Sequence, residues 1–191
     1  MSRLHPPQDV SAAQPARDEP DVSNRQDRAD GSDRADGADE FHRFMRTWAT
    51  GITVVTSRRH GRSVGCTVTA FTSVSLRPAL LLVCLADGSR TLATLRARGV
   101  FGVNVLAGDQ TALAGHFATA PGDRFATVPH HLVDGVPLLD AALATAVCRV
   151  ERACPVADHT LVLGRPSHYG VLRKAVVPLI RFNGASSPLG T

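Results

Sequence analysis

The chain has 191 residues, enough for one ordinary domain core and short of two. Its hydrophobic content of 43% is that of a globular protein, and no apolar run approaches the roughly 18 residues of a membrane-spanning helix. The formal charge of +4 is unevenly spread: residues 1–40 hold 5 Lys and Arg against 10 Asp and Glu, a net of −5, which leaves +9 on the remainder and favours anionic partners there, either nucleic acid or a phosphorylated small molecule.

Residues 1–39 are Asp, Arg, Pro, Ser and Gly with a near-duplicated DRADGSDRADGADE. A segment so poor in large apolar side chains cannot offset the entropy of ordering, and it is expected to be a disordered acidic tail ahead of a domain over 40–191. Order is expected from ADEFHRFMRTWATG, where Phe41, Phe44, Met45 and Trp48 recur at helical spacing and Gly51 can stop a packing helix. ITVVTSRR and SVGCTVTA around His60-Gly61-Arg62 read as a β-hairpin, and ALLLVCLA (Ala79 to Ala86) as a buried strand. Ser89 then caps a short helix, SRTLATLRARG, and VFGVNVLA (Val100 to Ala107) is a second buried strand. DQTALAGHFA is a helix capped by Asp109 with Leu113 and Phe117 inward. Strand patterns return in HHLVDG, ALATAVCRVERA, HTLVLGRP and VVPLIRFN. Many strands and few, short helices predict a mostly β fold, an antiparallel barrel, and no GxGxxG or GxxxxGK supports a dinucleotide fold or P-loop.

Cys66, Cys84, Cys148 and Cys154 form no CxxC pair, and the N-terminus lacks the apolar region of a secretory signal, so reduced thiols in a cytoplasm are expected. Cys148 and Cys154, with His130, His131 and His159, are the one combination that suggests zinc; a role as small core residues accounts better for cysteines inside apolar runs, and no metal is expected.

Two stretches carry chemistry. Gly65 to Ser75, GCTVTAFTSVS, places Thr67, Thr69, Thr72, Ser73 and Ser75 on an otherwise apolar segment; as one strand, its odd-numbered hydroxyls would share a face beside Val68, Phe71 and Val74. Such a wall suits a planar heteroaromatic ring, although threonine is also simply a good strand former. Asp87-Gly88-Ser89-Arg90-Thr91 joins a strand end to a helix start, where free N–H groups, a cation and two hydroxyls can receive a phosphate or merely cap the helix.

In order, F-x-x-F-M-R-x-W-A-T-G-I-T-V-V-T, G-C-T-V-T-A-F-T-S-V-S-L-x-P, S-R-T-L, F-G-V-N-V-L, D-R-F-A and D-H-T-L-V-L-G-R resemble the flavin reductase-like family with the FMN-binding split barrel, over about Phe41 to Gly184. The resemblance implies a homodimeric split β-barrel with a few short helices. Its flavin, FMN or FAD, would lie against Cys66, Thr67, Val68, Thr69, Ala70, Ser73, Val74 and Ser75. Thr50, Gly51 and Thr53 would line the site, Ser89, Arg90 and Thr91 would hold the phosphate, and Asn104 would support it. Asp158 and His159 match the second half of a Gly-Asp-His motif near the nicotinamide and are the candidate catalytic residues. The implied activity is reduction of flavin by NADH or NADPH, with the reduced flavin passing to a partner monooxygenase.

Ala157 stands where the family has glycine, Arg181 where it often has tyrosine, Arg77 where an acidic residue is common, and the usual aromatic beyond Gly184 is missing. The departures at Ala157 and near the C-terminus touch the nicotinamide side more than the flavin side, so the alternative is a flavin- or ligand-binding relative that has lost free reductase turnover and performs another step on a small metabolite. Scattered arginines with one Trp and one Tyr argue against a nucleic-acid module.

Overall fold

The computed structural model describes residues 31–190, and their side chains from residue 37 onward; the expectation for residues 1–30 lies outside the described residues. Chain contacts separate Met1–Asp39 from Glu40–Thr191. The β-rich unit is the second, and it alone is considered below.

Helix α1 (Gly31–Arg46) stops before Trp48 and is followed by β1 (Thr50–Gly51), β2 (Thr53–Arg59), β3 (Arg62–Val68), β4 (Phe71–Leu76) and β5 (Ala79–Ala86). Next come α2 (Arg90–Arg98), β6 (Val100–Val105), α3 (Thr111–Thr119), β7 (His130–Val133), β8 (Val136–Leu139), β9 (Ala144–Val156), β10 (His159–Val171), β11 (Leu179–Phe182) and β12 (Ala185–Pro188). Three hairpins turn on His60-Gly61, Asp134-Gly135 and Asn183-Gly184, each pair at positive φ (49° and 77°, 52° and 73°, 47° and 79°). Two successive left-handed residues match the twist of antiparallel strands, and Asn, Asp and Gly tolerate that conformation best.

Seven strands form one sheet in the order β3-β2-β6-β9-β10-β5-β4. Its two edge strands, β3 and β4, are consecutive in the chain and joined only by Thr69 and Ala70. A sheet whose opposite edges are tethered by two residues must curl on itself, yet no ladder joins β3 to β4, so the barrel is split along that seam. The Gly65 to Ser75 stretch is therefore not one strand. Its alternation breaks at Thr69-Ala70 and again at an irregularity between Ser73 and Ser75, and the hydroxyls do not share a single face.

The core follows from β2, which is buried on both faces. Val55 joins Val83, Leu95, Phe101, Val103 and Val162 inside the barrel, while Ile52 and Val54 pack with Leu106, Phe117, Leu139 and Leu179 under α3. Each such side chain contributes about 1.5–3 kcal/mol on burial.

Two expectations are corrected here. Asp109 does not cap α3: the cap position is Gln110, which makes no side-chain cap bond. Asp109 instead binds Arg173 at 2.7 and 2.9 Å, and Gln110 accepts from Ala107 N and donates to Ala141 O. Nor is the apolar face of α1 a packing face within this chain, since Phe44 and Trp48 remain 66% and 68% exposed. Leu113 is half-buried and packs against the same cluster that holds Ala114 and Phe117. No described helix is long and apolar enough to cross a membrane.

Candidate flavin site

Strand β5 ends at Ala86, and Asp87-Gly88 turns the chain into α2. Ser89 is the N-cap, its Oγ accepting from Leu92 N, and Gly99 closes the helix in the left-handed conformation with its N–H on Leu95 O. The first-turn N–H groups of α2 thus face outward without helical acceptors. They open on a groove of about 1060 Å³ whose walls include Ser89, Arg90, Thr91, Gly65, Cys66, Arg124 and the hairpin from Arg58 to Ser63. Five arginines line it (58, 59, 62, 90 and 124) against one carboxylate, Asp123. The aspartate is already engaged, accepting from Phe125 N at 2.9 Å.

Arg124 builds the floor. Its guanidinium donates to Ala120 O at 2.9 Å, Phe117 O at 2.6 Å and Gly65 O at 3.0 Å, so it closes the C-terminal carbonyls of α3 and ties them to β3. Gly65 lets the Phe117 ring pack closely there, since a Cβ would stand 3.0 Å from it. Cys66 lies 4.0 Å from Ser89 Oγ. Burial pushes its thiol up, outweighing the hydrogen bonds of Thr91 and Ser89 and the charge of Arg124, so it is a neutral group and not a nucleophile.

The expected flavin-site residues divide into four groups. Cys66, Ser89, Arg90 and Thr91 line this groove. Thr69 lines a second cleft of about 400 Å³ with Thr50, Trp48, Arg181 and Phe182, reached because Thr50 pairs with Arg181. Ala70, Ser73 and Val74 are exposed along the seam and line neither cleft. The remainder spend their polar atoms on the chain. Thr53 donates to Val68 O at 2.8 Å and Thr67 to Ala114 O at 2.6 Å, Ser75 accepts from Arg77 N, and Val68 is buried in the core. Gly51 pairs with Ile180. Asn104 is buried, donating to Val54 O and accepting from Leu139 N, which pins β6 to β2 and to the end of β8.

Asp158 and His159 sit at the turn between β9 and β10, outside the lining of the groove but next to the β5–α2 turn. His159 pairs with Ala86 across β10 and β5, and Asp87 N donates to Asp158 O at 3.0 Å. His159 Nδ1 lies 2.7 Å from Asp158 Oδ1, the two side chains being 46% and 89% exposed. The imidazole contact, with a backbone hydrogen bond, holds the Asp158 carboxyl below its ordinary range. An ionised Asp158 fixes the Nδ1–H tautomer and leaves Nε2 free as an acceptor. Ala157, in the same turn, has φ 52°.

Arg124 and the basic hairpin were not singled out as site residues in the sequence. The only signal was D-R-F-A for the first and a run of three arginines about a turn for the second.

The sequence pattern that defines the flavin reductase like domain matches residues 45–190. The chain belongs to that family. It is 42% identical over 120 residues to a probable flavin reductase of Rhizobium meliloti, an alignment covering 62% of this chain and 39% of that protein. It is 32% identical over 145 residues to HsaB, the reductase subunit of a flavin-dependent monooxygenase of Rhodococcus jostii, covering 75% and 74%. Among solved structures, a Streptomyces globisporus NADH:FAD oxidoreductase in complex with NAD and FAD fragments superposes with a TM-score of 0.75 at 32% identity, over 84% of this chain and 95% of that one. A split barrel is the architecture such family membership implies, and the unpaired seam between β3 and β4 agrees with it.

The groove fits a flavin nucleotide. It offers the first-turn N–H groups of α2 and positive charge where a phosphate is required. Cys148, by contrast, is buried in the barrel with its thiol pushed up to about 12 by burial alone, and among the described residues no three potential metal ligands converge.

Proposed function

We propose that this chain is an NAD(P)H:flavin oxidoreductase that binds FMN or FAD at the seam and supplies reduced flavin to a partner monooxygenase. The observation that carries the reading is the arginine-lined groove at the α2 N-terminus in a chain of the flavin reductase-like family. Hydride transfer is supplied by the nicotinamide and flavin when bound. The chain's own work is binding and alignment. Ser89, Arg90 and Thr91 receive the phosphate; Thr69, Ala70, Ser73 and Val74 present a flat, weakly polar face; Thr53, Thr67 and Asn104 hold the strands behind it. His159, with its tautomer set by Asp158, orients the nicotinamide from the adjoining turn.

The functional unit is a homodimer. Phe41, Phe44 and Trp48 on and after α1 and Leu76 on β4 are exposed apolar side chains, from 64% to 86%. A soluble chain rarely leaves so many uncovered, and a second copy would cover them next to the seam. The compartment is the cytoplasm, in keeping with free thiols at all four cysteines. Residues 1–39 act as a separate acidic tail, not required for the barrel. Mixing the purified protein with NADH or NADPH and either flavin, and following loss of the nicotinamide absorbance, tests the central claim: turnover requiring both substrates is expected, and none with any pairing would overturn it.

A further inference from the structure

The hairpin at the far end of the groove carries charge that the fold does not use. Arg59 and Arg62 stand directly opposite each other across β2 and β3. Like charges in a cross-strand pair are destabilising, and neither guanidinium has a hydrogen-bond or ion-pair partner among the described residues. Arg58 adds a third cation beside them on the same groove. Two arginines elsewhere on the barrel are paired with carboxylates, Arg165 with Glu151 through two bonds of 3.1 Å and Arg173 with Asp109; Arg77, Arg98, Arg149 and Arg152, exposed and without such a partner among the described residues, do not line the groove. What sets Arg59 and Arg62 apart is that they oppose each other across the ladder on the wall of the groove, where an anion from outside the fold would relieve their repulsion.

Its position says which anion. Strand β3 runs from Arg62 at the hairpin to Cys66, which touches the Ser89 cap. Four residues of extended strand span about 13 Å, and arginine side chains shorten that gap. A mononucleotide flavin ends at its single phosphate on α2 and would leave the hairpin end of the groove empty. A dinucleotide continues. The nicotinamide side of the site, at His159, lies off this groove, so the second basic wall serves the flavin and not the pyridine nucleotide.

We propose that Arg59 and Arg62 form a second phosphate subsite, which takes the adenylate phosphate of FAD and makes FAD the preferred flavin over FMN. The inference rests on the flavin-reducing reading above.

The test is calorimetric titration of the full chain and its Arg59→Gln/Arg62→Gln double variant with FAD and with FMN at one ionic strength, followed by steady-state assays with NADH and NADPH. The wild type is expected to bind FAD more tightly than FMN. Losing two charge-assisted contacts should cut the FAD-over-FMN preference by about 10- to 100-fold. An Arg59→Lys/Arg62→Lys variant should keep much of it. The ligand-free Gln variant should melt no lower than wild type, because a repulsive pair has been removed. Equal losses for both flavins, no loss for FAD, a wild type that prefers FMN, or a defect confined to NADPH turnover would each overturn the subsite. A wild type that binds neither flavin would overturn the reading of function itself, a result distinct from any of these.

Discussion

Ala157 is the residue most at odds with its own backbone. At φ 52° it occupies the left-handed region, which costs an L-residue with a Cβ about 1–2 kcal/mol. Ala157→Gly should therefore raise stability by about 0.5 kcal/mol after the added unfolded-state entropy is subtracted, read as a small rise in melting temperature. The strain is stored one residue from Asp158, and the same variant should leave the His159 pair intact. His159→Ala should leave flavin affinity nearly unchanged and slow NADH-dependent reduction by roughly 10- to 1,000-fold, a loss of alignment. Stopped-flow reduction of the flavin-loaded variant reads this, and a rate equal to wild type would remove His159 from the mechanism. Because the fold depresses the Asp158 carboxyl, the pairing supports the turn above the usual aspartate range and is lost as pH falls through the lowered value. The carboxyl resonance of Asp158 should titrate at higher pH in His159→Ala, and added salt should narrow the difference, since the pair is exposed.

At the scale of elements, the groove depends on how α2 and α3 end. Arg124 serves carbonyls from both α3 and β3 through one planar fork. Arg124→Lys should fail to replace it, and Arg124→Ala should lower stability by about 2 kcal/mol while loosening flavin binding, visible in melting curves and fluorescence titration. Much of this scale was legible in the chain. ALLLVCLA matches β5 residue for residue, and Ser89 and Gly99 bracket α2 as cap rules predict, because a continuous apolar run and a capped helix are local patterns; the run did not show that only Leu81, Val83 and Leu85 are buried, the residues alternating with them being half-buried. Other features were not. The break at Thr69-Ala70 leaves no mark in a stretch whose apolar and hydroxyl residues simply continue. Strands β8 and β12 are four residues each and hide behind their partners. Arg124 was unreadable as a site builder because its partners are main-chain carbonyls, which every residue has. Asn104 was placed in the right motif, but only the register of β6 shows that its amide faces inward.

For the molecule as a whole, the exposed side chains around α1 and β4 give a direct expectation. A Phe44→Glu/Trp48→Glu variant should sediment as a monomer where wild type sediments as a dimer, and should lose flavin turnover if the seam needs a second copy to complete it. A chain beginning at Asp39 should melt as the full chain does; a drop of several degrees would show that the tail docks.

The pairing of β1 with β11 has a consequence for biosynthesis. Thr50 and Gly51 find their ladder partners only at Arg181 and Ile180, while Leu179, fully buried, donates to Leu106 O and accepts from Ile52 N. The cleft lined by Thr50 and Thr69 at the start of the domain is thus closed by residues synthesised long after it. A nascent chain halted at Val177 would display its barrel strands with one wall missing, and Ile52 and Leu106 would lose the cover of Leu179. Such a truncation is expected to collect in the insoluble fraction, whereas a fusion partner attached after Thr191 through a flexible linker should be tolerated.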